Sequence, residues 1–241
     1  MADRTQWSGA PVLTVAVIIP CWNQGRLLGE ALASVALQTV APAQVIVVDD
    51  GSTDETAEVA SADPHVTVIR QDRKGTAAAR NAGMARAKTD LIAFLDADDL
   101  LTAMSLELRI AALRGTASDG CFGVVEEFRD PVDLARPVRA KAAARLAGAS
   151  LVTRAAAAVV GAFDESLPGG EVVDWVSRFD AANLCWTSVP EVVLRRRVHD
   201  ANKSRHPRYA NRAGLLAVAR RSAASKRNAG AASHPLSGDS D

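Results

Sequence analysis

The sequence predicts an α/β protein with a mostly parallel sheet flanked by helices, and three observations support this fold class. Short apolar runs rich in Val and Ile recur through the first hundred residues, separated by stretches with helical periodicity. The runs are apolar at successive positions, which is typical of strands with both faces covered. Strands that alternate with helices favour βαβ units, and these units build parallel sheets.

Four strands and three helices are predicted in the first hundred residues. The strands cover residues 12–19, 45–48, 66–70 and 91–95, and the helices cover 26–38, a short stretch that ends near 61, and 76–88. Pro20 is expected to end the first strand, because proline has no backbone N–H to donate to a sheet. Ser52 and Glu55 have capping-box spacing, so we expect Ser52 to cap the second helix.

The pattern is less regular after Asp99, where we expect a smaller region of mixed strands. Helices are predicted over residues 104–114 and 171–182, and strands over 121–127, 150–153 and 186–194. An Ala/Val-rich helix that ends at Gly161 is predicted after the strand at 150–153. We interpret residues 12–210 as one domain. Residues 1–11 are expected to be disordered, and 211–241 to form a basic helix and a disordered tail.

Composition excludes several classes of protein. With 48% hydrophobic and 23% charged residues, the chain is not disordered as a whole. No apolar run approaches the roughly 18 residues that a membrane-spanning helix needs. Cys21, Cys121 and Cys185 are far apart, so neither a disulfide framework nor a zinc site is indicated. We expect a soluble, cytoplasmic protein.

The net charge of zero conceals a basic block near the C-terminus. Residues 195–227 contain eleven Lys and Arg residues and a single acid, Asp200. Such a block suits contact with phosphate groups or with the inner face of a membrane, although many charge runs only solvate a surface helix. Nucleic acid is not an expected partner, because the strand ends that face the predicted ligand crevice are acidic.

Polar side chains follow the predicted strands at their carboxyl ends, where open parallel sheets bind ligands. They are Trp22, Asn23, Asp49, Asp50, Lys74, Arg80, Asp96, Asp98 and Asp99. So many carboxylates cannot all be ionised together without a cation between them. The acidic run at residues 96–99 suits a hard ion such as Mg²⁺ or Mn²⁺, and a simple turn is the alternative.

The same residue types could hold a nucleotide. Carboxylates such as Asp49 and Asp50 accept hydrogen bonds from ring N–H groups and sugar hydroxyls. Trp22 offers a ring on which a base could stack, or it is an ordinary buried tryptophan. Lys74 and Arg80 could neutralise a diphosphate, or they could be surface charges.

Four motifs follow one another in this region: VIIPCWN at residues 17–23, VVDDGSTD at 47–54, Gly75 with Ala79-Arg80-Asn81, and FLDADD at 94–99. In order and spacing they resemble the motifs of family-2 glycosyltransferases with the GT-A fold. The resemblance implies an inverting, metal-dependent transferase of the hexosyltransferase type, with a nucleotide-diphosphate donor and a UDP-sugar favoured. Residues 12–100 would form the nucleotide-sugar-binding half, and residues 101–210 the acceptor half.

The resemblance also implies roles for single residues. The donor-binding set would be Pro20, Trp22, Asn23, Asp49, Asp50, Lys74, Arg80, Asp96 and Arg197. Asp50 would accept a hydrogen bond from the uracil ring. Asp96 and Asp98 would form the D-x-D that holds Mn²⁺ or Mg²⁺. The segment at residues 197–202 resembles the R-x-H-x-x-N that closes over the donor, and His199 would complete the metal shell or contact the diphosphate.

One position departs from the family pattern. The family usually shows Gly-Glu-Asp in the later helix, but this chain has Gly170-Glu171-Val172. Glu171 and Asp174 are three residues apart and share one helix face, so either could be the catalytic base. We favour Glu171, with Asp174 orienting the substrate or a basic partner; the alternative is that both are solvated carboxylates.

Two other functions compete with the transferase. A nucleotidyltransferase would use a similar sheet, but it normally needs a Gly-rich phosphate loop, and the loop after the first strand has a single glycine, Gly25. A non-catalytic nucleotide-sugar-binding protein or scaffold is the second, because Val172 replaces a carboxylate. The acceptor stays open among a small metabolite, a peptide and a lipid-linked glycan.

Overall fold

A computed structural model describes residues 12–129 and 139–198 of the protein. In the first half the elements are β1 (Val15–Cys21), α1 (Gly25–Ala36), β2 (Gln44–Asp49), α2 (Thr56–Ser61), β3 (Val66–Arg70), α3 (Thr76–Arg86) and β4 (Leu91–Phe94). The second half contains β5 (Leu100–Leu101), α4 (Ser105–Thr116), β6 (Gly120–Phe128), β7 (Arg139–Ala143), β8 (Ser150–Thr153), α5 (Arg154–Val160), α6 (Glu171–Ala181) and β9 (Trp186–Arg197).

The described strands form one sheet with the order β3-β2-β1-β4-β8-β6-β9-β5, and β7 pairs with β6. The strands from β1 to β4 are parallel to one another. Antiparallel pairing begins where β8 joins β4, and β6 is antiparallel to β8 but parallel to β9. The predicted fold class is therefore confirmed: a parallel sheet lies beside a smaller mixed region.

Two hydrophobic cores cover the two faces of the sheet. Val17 and Ile19 of β1 belong to one core with Leu28 of α1, while Ile18 belongs to the other. Successive side chains of a strand point to opposite faces, so a strand with both faces covered must be apolar at every position. This packing explains the continuous apolar runs that predicted the sheet.

Two expectations about the first strands are wrong. Pro20 lies inside β1, where it pairs with Val48. It is tolerated there because β4 pairs with β1 only as far as Ile18, so the last part of β1 has a neighbour on one side. Ser52 caps no helix: the residue before α2 is Glu55, with no side-chain cap, and Ser52 Oγ accepts a hydrogen bond from the Asn23 N–H at 2.9 Å.

Two strands of the sheet, β5 and β7, were not predicted. β5 has two residues, and its pairing with β9 joins positions more than ninety residues apart in the chain. Within residues 12–129 and 139–198, no helix is both long and apolar enough to span a bilayer. The predicted disordered end at residues 1–11, the basic helix and tail at 211–241, and His199 lie outside the described residues.

Candidate functional site

A cleft of about 420 Å³ lies at the carboxyl ends of β1 and β2. Its lining residues come from the ends of these strands, from the loop before α3 and from the segment before α6. They are Trp22, Asp50, Arg73, Lys74, Gly75, Thr76, Ala77, Glu165, Leu167, Pro168, Gly169, Gly170 and Glu171. Its volume and its place at the strand ends are those of a small-molecule site in an open α/β sheet.

Asp50 organises one wall of the cleft. Its Oδ1 accepts hydrogen bonds from the Gln71 side chain at 2.7 Å and from the Lys74 backbone N–H at 2.8 Å. Its Oδ2 accepts one from the Gly75 N–H at 2.8 Å. The carboxylate therefore fixes the loop between β3 and α3, and it still lines the cleft where it is expected to meet the nucleoside.

Three further members of the expected donor-binding set lie around this wall without lining the cleft. Pro20 is buried within β1. Asp49 is fully buried and accepts a hydrogen bond from the Ser52 N–H at 2.9 Å. Asn23 adopts a positive φ of 51° and accepts from the Thr53 N–H at 2.8 Å. Asn23 thus joins the loop after β1 to the loop after β2, and Asp49 holds the latter loop at its start.

Arg80 connects the acidic strand end with α6. Its guanidinium donates to Asp96 Oδ1 and to Glu171 Oε1, each at 2.8 Å, and its side chain is 4% exposed. Burial alone would lower the pKa of Arg80, but the charges of Asp96 and Glu171 outweigh burial and raise it. The Arg80 guanidinium thus contacts both Asp96 of the D-x-D and Glu171, the favoured base. Among the described residues, Arg80 Nε is buried and has no hydrogen-bond partner.

The acidic run after β4 concentrates negative charge. Burial, together with the charges of Asp98 and Asp96, raises the pKa of Asp99 well above its ordinary value, although the Arg197 N–H opposes this by donating to Asp99 at 2.8 Å. Asp96 and Asp98 are only partly buried. Asp96 and Asp98 are thus the carboxylates of the run that a divalent cation could reach, with its other oxygens coming from a substrate.

The metal site itself remains a prediction. In the part of the chain that the structure describes, no three His, Cys, Asp or Glu side chains are grouped as metal ligands. Any ligand beyond Asp96 and Asp98 would therefore come from a bound substrate or from outside the described residues, where His199 lies.

Arg197 lies elsewhere than expected. Its side chain is fully buried behind the acidic run instead of facing the cleft. Its Nε donates to the Asp98 carbonyl at 3.0 Å, and Nη2 donates to Glu30 of α1 at 2.5 Å. The guanidinium also lies 4.7 Å from the centre of the Phe128 ring. In this structure Arg197 holds the backbone of the D-x-D loop through the Asp98 carbonyl.

The two candidate bases point in different directions. Glu171 lines the cleft, and Arg80 binds one of its two carboxylate oxygens. Asp174 is buried and accepts from Arg178 Nε at 3.0 Å, one helical turn further along α6. Arg178 in turn donates to the carbonyls of Val160 and Ala162. Asp174 thus has the basic partner that we considered for it, and it is absent from the cleft lining.

Val172 packs against the hydrophobic core that contains Ile18 and does not line the cleft. It helps line a small apolar pocket with Phe94, Phe163 and Trp175. A valine that makes hydrophobic contacts therefore occupies the position at which the family usually has a carboxylate. Among the described residues that line the cleft, this leaves Glu171 as the carboxylate at the start of α6.

Two cleft residues escaped the sequence analysis. Arg73 stacks on the Trp22 ring, with its Cζ 3.4 Å from the ring centre. Glu165 accepts from Asn81 Nδ2 at 2.7 Å, and Asn81 also donates to the Phe163 carbonyl. Arg73 directly precedes Lys74, and Glu165 follows the stretch Gly-Ala-Phe-Asp at residues 161–164, but neither position indicates a contact.

Comparison with known proteins gives a family and several relatives. A family model described as glycosyl transferase family 2 matches residues 16–149. Glycosyltransferase GlyG of Streptococcus pneumoniae serotype 4 is 37% identical over 98 residues, covering 39% of this chain and 33% of GlyG. Glycosyltransferase AglE of Haloferax volcanii is 34% identical over 119 residues, covering 46% of this chain and 39% of AglE. The matches thus span less than half the length of these relatives.

Solved structures show the same fold. The crystal structure of S. aureus TarS 1–349 in complex with UDP has a TM-score of 0.71 at 18% identity, covering 88% of this chain and 65% of that chain. The complex of the same protein with UDP-GlcNAc has a TM-score of 0.73 and covers 88% and 66%. These matches confirm the GT-A fold that the motifs implied.

Proposed function

Because the chain belongs to glycosyl transferase family 2, we propose that it is a glycosyltransferase that moves a sugar from a nucleotide-diphosphate donor to an acceptor hydroxyl. One observation carries the proposal: Arg80 joins the cleft carboxylate Glu171 to Asp96 of the acidic run. Trp22 and Asp50, which we propose to hold the nucleoside, line the same cleft as Glu171. Binding groups for a donor and a group able to accept a proton therefore lie together.

A UDP-sugar is the donor that we favour. TarS, which has a similar fold, has been crystallised with UDP and with UDP-GlcNAc. In this chain Trp22 would stack on the base, while Asp50 Oδ2, which accepts one hydrogen bond in the structure, has capacity for another from a ring N–H. Lys74 at the rim of the cleft would neutralise the diphosphate.

We propose that transfer is metal-dependent. Asp96 and Asp98 would hold Mn²⁺ or Mg²⁺ together with diphosphate oxygens. A divalent cation there would act as a Lewis acid and stabilise the charge that grows on the departing nucleoside diphosphate. Arg80 would hold Asp96 in place through its 2.8 Å bond. Arg197 would fix the backbone of the same loop through the Asp98 carbonyl.

Direct displacement with inversion is the mechanism that we propose. Glu171 would accept the proton of the attacking hydroxyl through the carboxylate oxygen that Arg80 does not bind. Asp174 would act only by positioning, because it holds Arg178 and thereby the segment between α5 and α6. Cys21 is not a nucleophile in this scheme, because burial followed by the charges of Asp49, Asp54 and Asp50 raises the pKa of its thiol to about 12.

A non-catalytic nucleotide-sugar-binding protein is the second candidate, and one contact favours it. Val172 packs against the aromatic core at the position where the family usually has a carboxylate. A protein that kept the donor cleft without this acid would bind the nucleotide and turn it over slowly or not at all. Glu171→Gln tests the distinction: donor binding should persist in both cases, and turnover should fall only if Glu171 is the base.

The first experiment is a thermal-shift titration of the full chain with UDP, GDP and dTDP, with and without Mn²⁺. We expect UDP with Mn²⁺ to raise the melting temperature by several degrees, because a ligand that binds only the folded state stabilises it. Asp98→Ala should abolish the metal-dependent part, and Glu58→Ala, an exposed acid of α2 away from the cleft, should not. No shift with any nucleotide would contradict the proposed function.

A further inference from the structure

Arg73 occupies the surface on which a nucleobase would stack. Its guanidinium carbon lies 3.4 Å from the centre of the Trp22 ring, the distance at which two flat π-systems stack. Trp22 is half-buried and Arg73 is exposed, and both line the cleft. A base and the Arg73 guanidinium cannot share this face of the ring at the same time.

The backbone at Arg73 is fixed although its side chain is exposed. Asp50 accepts hydrogen bonds from the N–H groups of Lys74 and Gly75, which follow Arg73 directly. Gly51, with a φ of +74°, lies so close that a Cβ on it would be 3.0 Å from the Arg73 nitrogen. A movement away from Trp22 is therefore a movement of the side chain alone, and the guanidinium stays at the cleft.

The charges around the cleft indicate where the released guanidinium would go. The cation on Trp22 is next to Lys74, so a diphosphate in the cleft would meet two adjacent positive side chains. An arginine binds phosphate oxygens with paired N–H groups, which is a stronger contact than a cation over an exposed ring.

Resting on the proposed function, we propose that Arg73 selects nucleoside diphosphates over nucleosides. In the free protein its guanidinium covers the Trp22 ring and competes with a base. When a nucleoside diphosphate binds, the base takes the ring and Arg73 binds the diphosphate, so the loss of one contact is offset by the gain of another. A nucleoside without phosphates displaces Arg73 and gives it no new partner.

The test compares the dissociation constants of uridine and UDP for the wild type and Arg73→Ala by isothermal titration calorimetry. Without its competitor, the variant should bind uridine about two- to fivefold more tightly, the equivalent of an exposed cation–π contact. It should bind UDP about tenfold more weakly, because a charge-assisted hydrogen bond is lost. Opposite changes for the two ligands are the signature of the proposal.

Two further variants separate this role from others. Lys74→Ala should weaken UDP and leave uridine unchanged, since Lys74 does not cover the ring. Arg86→Ala, an exposed arginine at the far end of α3, should change neither constant. If Arg73→Ala weakens uridine or leaves it unchanged while the wild type binds UDP, the inference about Arg73 is wrong and the proposed function stands. If the wild type binds neither UDP nor uridine in buffer with Mn²⁺, the inference about Arg73 is wrong; the proposed function is wrong as well only if GDP and dTDP also fail to raise the melting temperature.

Discussion

Arg80 is a single residue whose side chain joins the two halves of the described chain. It is buried between Asp96 and Glu171, which belong to different halves of the chain. Removing one partner of a buried ion pair is costly because the remaining charges lose their compensation. Since Asp96 is 44% exposed, solvent would recover part of that cost.

We therefore expect Arg80→Met to lower the free energy of unfolding by about 2–3 kcal/mol, below the upper range for fully buried pairs. Urea denaturation at neutral pH measures the change. Adding Glu171→Gln should return part of the loss, because one of the two uncompensated carboxylates is then neutral. Arg86→Met, on the exposed end of the same helix, should stay within about 0.5 kcal/mol of the wild type. A loss in Arg80→Met no larger than this control would contradict the contacts.

The three cysteines should differ sharply in reactivity. Burial raises the pKa of Cys21 to about 12 and that of Cys121 to about 11, whereas Cys185 is exposed. The thiolate is the reactive form, so at pH 8, far below both raised values, Cys21 and Cys121 remain protonated thiols.

Ellman's reagent at pH 8 should consequently detect one thiol in the native protein and all three after denaturation. Cys185→Ser should remove the native signal. Rapid reaction of a second thiol in the folded protein would contradict the prediction, and its loss in Cys21→Ser would show that the accessible thiol is Cys21 and not Cys121.

Among the elements, α3 packs directly on the sheet. Gly83 of α3 faces Ile18 of β1, and a Cβ on Gly83 would be 2.3 Å from Ile18 Cγ2. Gly115 of α4 meets no atom within 4 Å. The same substitution at the two glycines should therefore have opposite effects.

Gly83→Ala should destabilise the protein by about 1–3 kcal/mol, because β1 is covered on both faces and cannot move away from an extra methyl group. Gly115→Ala should stabilise it by up to about 1 kcal/mol through helix propensity. Thermal unfolding of the two variants side by side measures both signs. Equal effects would show that α3 does not pack on β1 at this distance.

The elements were predictable where packing leaves a local pattern. Val66–Arg70 and Ser150–Thr153 were predicted with the bounds that the structure gives them, since strands that are apolar and β-branched contrast with their neighbours. Pro20 was misassigned because its tolerance depends on where β4 ends, which the sequence near Pro20 does not reveal. β5 was missed because two residues are too few to carry a period.

The location of the candidate site at the strand ends was predictable, but the contacts between its residues were not. The motifs brought Trp22, Asp50 and Asp96 to the strand ends correctly, because parallel strands share one ligand-binding edge. Helical spacing predicted that Glu171 and Asp174 share one face of α6. In the structure the Asp174 carboxylate pairs with Arg178 of the same helix and does not line the cleft. Contacts such as that of Arg80 with Glu171 join positions 91 residues apart, and no local spacing encodes them.

For the molecule as a whole, Arg197 links the last strand of the described chain to elements of its first half. It lies at the end of β9 and contacts the Asp98 carbonyl and Glu30 of α1. The side chain is fully buried, and the N–H of the same residue donates to Asp99. The geometry of the acidic run thus depends on a strand that lies almost a hundred residues further along the chain.

We expect Arg197→Met, which keeps most of the side-chain volume, to lower the free energy of unfolding by about 1–3 kcal/mol, because the Asp98 carbonyl and Glu30 lose a charged partner, although Glu30 is 46% exposed and solvent recovers part of the cost. It should also weaken the stabilisation of the protein by UDP with Mn²⁺, since the loop with Asp96 and Asp98 loses its support. The neighbouring Arg196 pairs with Glu127 at 3.3 Å while 31% exposed. Arg196→Met should therefore cost less than about 1 kcal/mol. Urea denaturation gives the first quantity, and a UDP and Mn²⁺ thermal-shift titration of both variants gives the second. A destabilised Arg197→Met that still gains the full shift would confine Arg197 to the fold and leave the acidic run independent of β9.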